Sequence, residues 1–406
     1  MRTVIFVGAH LGYPMDKTPL GGGAMVGLEL AKQWAAAPRE NLVFLGSGPV
    51  PPCADSPLAR YVRVAAEPEG LVDLSELAYA RFCRRFESET TDWILGSGLD
   101  PRETSIVVND ISEGPDLAKL SAAGYAIVSI WHVDVVDYFN KLYLKSLVRP
   151  ERLTRAYERS RAIGASAALP DLLNLVFEKQ RQTVAHSRRM IFPSSQMAET
   201  VERCYGGFVA PEAELRRRSM VVPWGVFGPA PDAAAAAVAA EALRAHYQLS
   251  PSDRVVMTLS RISPEKGLHL LLEAARRLEQ KGRVDNLCLM ICGEAAFMMG
   301  QAYMRKVRRA AEALKNTRVF FPGYLSAQEK PGYFRLAELF VSPSIHESYG
   351  LNVVEAMRAG LPILASDHYG VRDVLRPEYG KAVSYKDLAA APDALGAALT
   401  DLLADR

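Results

Sequence analysis

The sequence predicts an α/β protein of two domains, each a parallel sheet covered by helices. Three observations point there. Short apolar runs alternate with helix-like stretches in both halves, the pattern of β/α/β units. The chain has 406 residues with 49% hydrophobic content, enough for two cores. A Pro- and Ala-rich break follows Pro223-Trp-Gly225, which sets the domains at residues 1–224 and 225–406.

In the first half, Thr3–Val7 reads as a buried strand, and Gly21-Gly22-Gly23 opens a helix running to Trp34. Strands follow at Leu42–Leu45, Ile106–Val108, Ala126–Ile130 and Met190–Phe192. Residues Val135–Arg188 have helical periodicity, a break at Pro170 and a basic set: Arg149, Arg152, Arg155, Arg159 and Arg161. They read as a helical excursion covering the first sheet. A face shaping a substrate pocket and a face touching anionic lipid are the other readings. Past Pro229-Ala-Pro231, the tract Ala233–Ala240 reads as a surface helix with little core-forming power. Strands then fit Val255–Leu259, Leu287–Cys292, Val319–Phe321, Leu339–Val341 and Ile363–Ala365. Helices fit Leu268–Leu278, Val353–Ala359 and Pro392–Leu403.

The formal charge of +2 argues against a nucleic-acid binder. Five scattered cysteines suggest a reducing compartment. Cys288 and Cys292 fall in an apolar run and read as buried thiols. The apolar run after Met1 is short for a signal peptide, and none approaches a membrane span. A cytoplasmic protein is the expectation.

The most informative segment is Ser342-Pro-Ser-Ile-His-Glu-Ser-Tyr-Gly-Leu-Asn-Val-Val-Glu. Glu347 falls on a strand-to-helix turn and Glu355 about one turn into the helix. Ser348 and Gly350 are small enough for a ligand to approach the backbone. The N–H groups of Gly350 and Leu351, at a helix start, suit an anion. Two carboxylates flanking a phosphate-accepting turn can grip hydroxyls on both sides of a diphosphate, which describes a nucleotide-sugar. Upstream, Arg261 and Lys266 lie in a loop after a strand, where open α/β sheets bind ligands. Two cations there suit a diphosphate.

With Ala356-Met357 and Gly360-Leu-Pro362, this segment resembles the signature of the retaining glycosyltransferases of glycosyltransferase family 4. The resemblance implies the GT-B architecture: two Rossmann-like domains facing each other across a cleft, the first for the acceptor and the second for the donor. It implies that Glu347 holds sugar hydroxyls near the reacting centre and that Glu355 takes the ribose. Arg261 and Lys266 then meet the diphosphate. His132, after a first-half strand, resembles the family's histidine that reaches the donor sugar on domain closure. The Gly21-Gly22-Gly23 loop and Gly293 match glycine-rich donor loops, and Tyr324 is a candidate neighbour of the base. His346 reads as holding the turn.

The chain departs from the family at Ser260, at Ala295 and at Phe227, and it stops short of the last helix with which relatives cross back. Asp-x-Asp is absent, so no metal and no cofactor beyond the donor sugar are expected. A front-face route fits retention, with Glu347 as covalent nucleophile the rival. A nucleotide-sugar 2-epimerase and a binding protein without turnover are the other classes. The acceptor stays open among a soluble sugar or metabolite, a sugar phosphate and a lipid-linked glycan, with a soluble hydroxyl acceptor favoured.

Overall fold

The structure is a computed structural model. It describes residues 2–14, 21–53, 56–67, 71, 74, 76–144, 147–168, 171–228, 230–282, 285–295, 300–385 and 387–404. Pro170, Pro229 and Ala296 lie outside the described residues. The chain folds as two compact units, Met1–Trp224 and Gly225–Arg406.

The first unit begins β1 (Thr3–Val7), α1 (Gly22–Ala36), β2 (Asn41–Gly46), β3 (Ala59–Arg63), α2 (Glu76–Gly96), β4 (Thr104–Val108), α3 (Leu117–Ala122) and β5 (Ala126–Ile130). It continues through α4 (Val135–Tyr143), α5 (Pro150–Ala162), α6 (Asp171–His186), β6 (Arg189–Phe192), α7 (Ser195–Tyr205), α8 (Glu212–Arg218) and β7 (Ser219–Val221). Its sheet is parallel, in the order β3-β2-β1-β4-β5-β6-β7. Alternate residues of each strand face opposite layers. Ile5, Val7, Val43, Leu45, Ile106 and Val108 pack with Phe82 and Phe86 of α2. Phe6, Phe44 and Val107 pack on the other face with Ala31 and Trp34 of α1.

The excursion read at 135–188 is helical and has a small core of its own. Val136, Tyr157, Val176 and Phe177 bury one another there, and the Tyr157 and Phe177 rings stack at 5.1 Å. Asp134 starts α4 by accepting from the amides of Val136 and Asp137, as an N-cap aspartate does.

The second unit begins α9 (Ala233–His246), β8 (Arg254–Leu259), α10 (Leu268–Gln280), β9 (Leu287–Cys292), α11 (Gly300–Glu312), β10 (Arg318–Gly323) and α12 (Lys330–Leu336). It ends β11 (Leu339–Ser342), α13 (Leu351–Arg358), β12 (Ile363–Ser366), α14 (Tyr369–Val374), β13 (Gly380–Val383) and α15 (Ala391–Ala404). The sheet is again parallel, in the order β10-β9-β8-β11-β12-β13. One face packs on α10, α11 and α15, the other on α9, α12 and α13. Cys288 and Cys292 are buried and free on β9. Four residues along a strand set them roughly 13 Å apart, too far to share a metal.

The Ala-rich tract is more than a surface helix. Ala236 and Ala240 are buried, and a Cβ added at Gly332 of α12 would stand 2.8 Å from the Cβ of Ala239. The small side chains let α9 and α12 touch closely. Gly332→Ala is therefore expected to destabilise the second unit by about 1–3 kcal/mol, read by denaturant titration; an unchanged midpoint would refute the close packing.

Three strands escaped the sequence pattern. β3, β7 and β13 stand at or next to sheet edges and are largely exposed, so they lack the apolar run that marks a buried strand. Among the described residues no helix is long and apolar enough to cross a membrane.

Candidate functional site

In the second sheet the chain adds β9 and β10 on one side of β8, then returns to its other side with β11. The carboxyl ends of β8 and β11 therefore flank the reversal of strand order, the place where such sheets take ligands. The β8 loop carries Arg261 and Lys266. The β11 loop carries Glu347, Ser348 and Gly350.

Backbone hydrogen bonds lock these two loops together. Ile345 and His346 donate their amides to the carbonyl of Glu265, at 2.7 and 3.3 Å. Gly267 has φ +64°, and a Cβ on it would stand 2.0 Å from the carbonyl oxygen of Pro343. A glycine is needed there for the loops to meet. Asn352 of α13 donates to Leu259 O at 2.7 Å, tying the helix start to the end of β8. Gly350, at φ +89°, precedes α13 and gives it no side-chain cap.

Lys266 and Glu347 form an ion pair across the reversal. Both are largely buried, at 11% and 16% side-chain exposure, so neither charge is well served by water. Burial pushes the Glu347 carboxyl up, but Lys266, His368 and His346 together outweigh it and hold the group at about 2. The sequence reading had given these two residues separate partners; the structure gives them each other. His346 is buried and packs edge-on to Tyr369 at 6.0 Å. His368 caps α14 and stands 3.3 Å from where a Gly350 Cβ would be. Arg261 reaches Glu265 at 3.7 Å.

Glu355 lies one turn along α13 and pairs with Lys330, at 2.9 and 3.2 Å. Ser348 is buried, while Leu351 and Glu355 are partly exposed. Gly293 is demanded by packing: at φ +127° its Cβ would stand 1.8 Å from Ser260 O. Its amide donates to Gly323 O at 2.7 Å. Beside it opens a cavity of about 350 Å³ lined by Gly293, Glu294, Arg308, Phe321 and Gly323, among others. Arg308 lies over the Phe321 ring, 4.6 Å from its centre. Tyr324 is 37% exposed, which excludes a core role, and it does not line this cavity.

In the first unit Gly21 has φ +95° and, among the described residues, nothing within 4 Å of where a Cβ would be, and Gly22 is exposed. Gly23 serves a packing need, because a Cβ there would stand 2.8 Å from the His132 ring. Asn109 donates its amide to Gly23 O at 3.2 Å and turns its oxygen to His132 Nε2 at 3.1 Å. That oxygen only accepts, so Nε2 carries the proton and Nδ1 is left as an acceptor. Burial pushes His132 down to about 4, so the ring is neutral near pH 7.

Four partners were invisible to the sequence reading: Asn109, Lys330, Asn352 and His368. Each comes from a different element than the residue it supports. Among the described residues, no group of three or more His, Cys, Asp and Glu side chains is placed to hold a metal ion.

Known proteins resemble this chain in both sequence and fold. D-inositol 3-phosphate glycosyltransferase of Nocardia farcinica is 29% identical over 229 residues, covering 55% of this chain and 47% of that protein. The chain spans less than half the length of the curated relatives it matches. Sucrose-phosphate synthase from Thermosynechococcus elongatus superposes with a TM-score of 0.69 at 18% identity, over 100% of this chain and 90% of that one. Anabaena HepE, solved in complex with UDP-glucose, gives 0.61 at 16% identity, over 99% and 91%. These likenesses show the fold, two Rossmann-like units of the GT-B kind. Residues 240–406 match the family model of glycosyl transferases group 1, and that stretch holds Arg261, Lys266, Glu347 and Glu355.

Proposed function

We propose that the protein is a glycosyltransferase that moves a hexose from a nucleoside-diphosphate sugar to a hydroxyl acceptor, with retention and without a metal ion. The observation that carries this reading is the Lys266–Glu347 pair at the strand-order reversal, beside the uncapped start of α13. Lys266, Arg261 and the amides of Gly350 and Leu351 meet the charge that builds on the leaving diphosphate. Glu347 accepts hydrogen bonds from the sugar hydroxyls, and Glu355 from the ribose. The cavity by Gly293 and Gly323, with the Phe321 ring in its wall, takes the base. In the first unit His132 is neutral with Nδ1 as an acceptor, a group that can take a hydroxyl, and Gly22 is exposed.

Glu347 is ionised near pH 7, so it stands as a hydrogen-bond acceptor for the sugar. In the front-face route the acceptor's proton goes to the departing phosphate oxygen. The new glycosidic bond forms on the face from which the phosphate leaves, so configuration is kept. HepE was solved with UDP-glucose, which supports a donor of that class.

The test is a panel of UDP-, GDP- and ADP-sugars read by thermal shift, then transfer assayed with and without EDTA. At least one donor raises Tm, and EDTA leaves turnover within about twofold. Stabilisation by a nicotinamide cofactor and by none of the sugars sinks the reading. Loss of turnover with EDTA removes its metal-free part.

A further inference from the structure

The first sheet reverses its strand order between β1 and β4, and the loops at their carboxyl ends hold a second polar cluster. His10 follows β1. Asn109, Asp110 and Glu113 follow β4. Asp110 builds the turn by accepting from the Ser112 amide at 3.0 Å. Glu113 comes next and is 4% exposed. Its Oε1 accepts from the Tyr79 hydroxyl of α2, with His10 Nε2 at 3.9 Å. Its Oε2 is buried with no hydrogen-bond partner among the described residues.

A buried carboxylate oxygen without a partner is costly. A ligand hydroxyl donating to it removes that cost. The charges nearby decide what kind of ligand fits. Burial pushes the Asp110 and Glu113 carboxyls up, to about 6 and about 7, and His132 is neutral. Among the described residues Lys179 acts on Glu113 as a cation, and His10 does so at 3.9 Å when protonated. The Lys179 ammonium is already paired with Glu87 and donates to Gly114 O at 2.8 Å. Hydroxyl donors are therefore welcome, while an anion finds, among the described residues, a lysine already engaged by Glu87 and the Gly114 carbonyl.

We propose that this reversal point, built from His10, Asp110, Glu113 and Tyr79, binds the hydroxyls of an uncharged polyol and disfavours the matching phosphate ester. Naming that polyol the sugar acceptor rests on the glycosyltransferase reading; the binding itself does not.

The test uses the full chain and saturation-transfer NMR with paired probes: D-glucose against glucose 6-phosphate, and myo-inositol against its 1-phosphate. UDP serves as an independent reporter of the second unit. At least one parent polyol binds, and its ester binds about tenfold more weakly or not at all. Glu113→Gln and His10→Ala each weaken the polyol about tenfold and leave UDP affinity unchanged. An ester that binds more tightly than its parent overturns the proposal. So does Glu113→Gln with unaltered polyol binding, or a panel in which nothing binds. Should Glu113→Gln fail to fold, Tyr79→Phe and the wild-type ratio of parent to ester decide. If polyols bind but UDP and the donor sugars do not, the glycosyltransferase reading fails and the polyol site stands.

Discussion

Glu347→Gln is expected to lower turnover by about 10²–10³-fold, the usual loss when a preorganised polar contact to the reacting centre is removed. It also leaves Lys266 buried without its counter-charge, at a cost of about 3 kcal/mol. Those two effects separate in a double variant. Lys266→Met with Glu347→Leu replaces both charges by apolar groups, so stability returns while turnover does not. The pH dependence has a definite sign. In the folded chain the carboxyl sits at about 2, below the roughly 4.3 of an unfolded glutamate. Its contribution to stability is full above the unfolded value and is lost as pH falls toward 2. Urea titrations of wild type and Glu347→Gln should therefore converge in acid. Full turnover by Glu347→Gln would falsify the assignment.

Gly293→Ala has the second-largest expected effect, on stability. The residue occupies φ +127°, and the added Cβ would stand 1.8 Å from Ser260 O. Backbone strain of this kind costs about 1–3 kcal/mol before any clash is counted. With the loops forced apart we expect a total near 3 kcal/mol, or a Tm lower by roughly 6–12 °C. Calorimetry of the purified variant checks it. A Tm within a degree of wild type means that the loops part freely and that Gly293 is kept for ligand approach alone.

The central strands were legible because burial on both faces writes near-continuous apolar runs such as Leu287–Cys292. The edge strands Ser219–Val221 and Gly380–Val383 were not, since their order comes from pairing with a neighbour and their side chains face water. Glu347, Glu355, Arg261 and Lys266 stood out because they recur at fixed spacing inside short local segments. Their partners did not. Lys330 is 25 residues from Glu355, and only the return of the chain to β11 brings it close. The reading of Gly23 as bared backbone missed His132, which fills the space its absent side chain leaves. The Ala tract misled in the opposite direction, because small residues usually signal a weak surface and here allow contact with Gly332.

On the proposed reading, the Lys266–Glu347 pair also makes the site choosy. Within the pair the two charges cancel at long range. A ligand offering only phosphate claims Lys266 and strands a bare carboxylate. One offering only hydroxyls claims Glu347 and strands a bare ammonium. A molecule carrying both halves at once is the one that opens the pair without leaving a bare ion. On that reading the site is a coincidence detector, whose threshold is the cost of exposing a single buried charge.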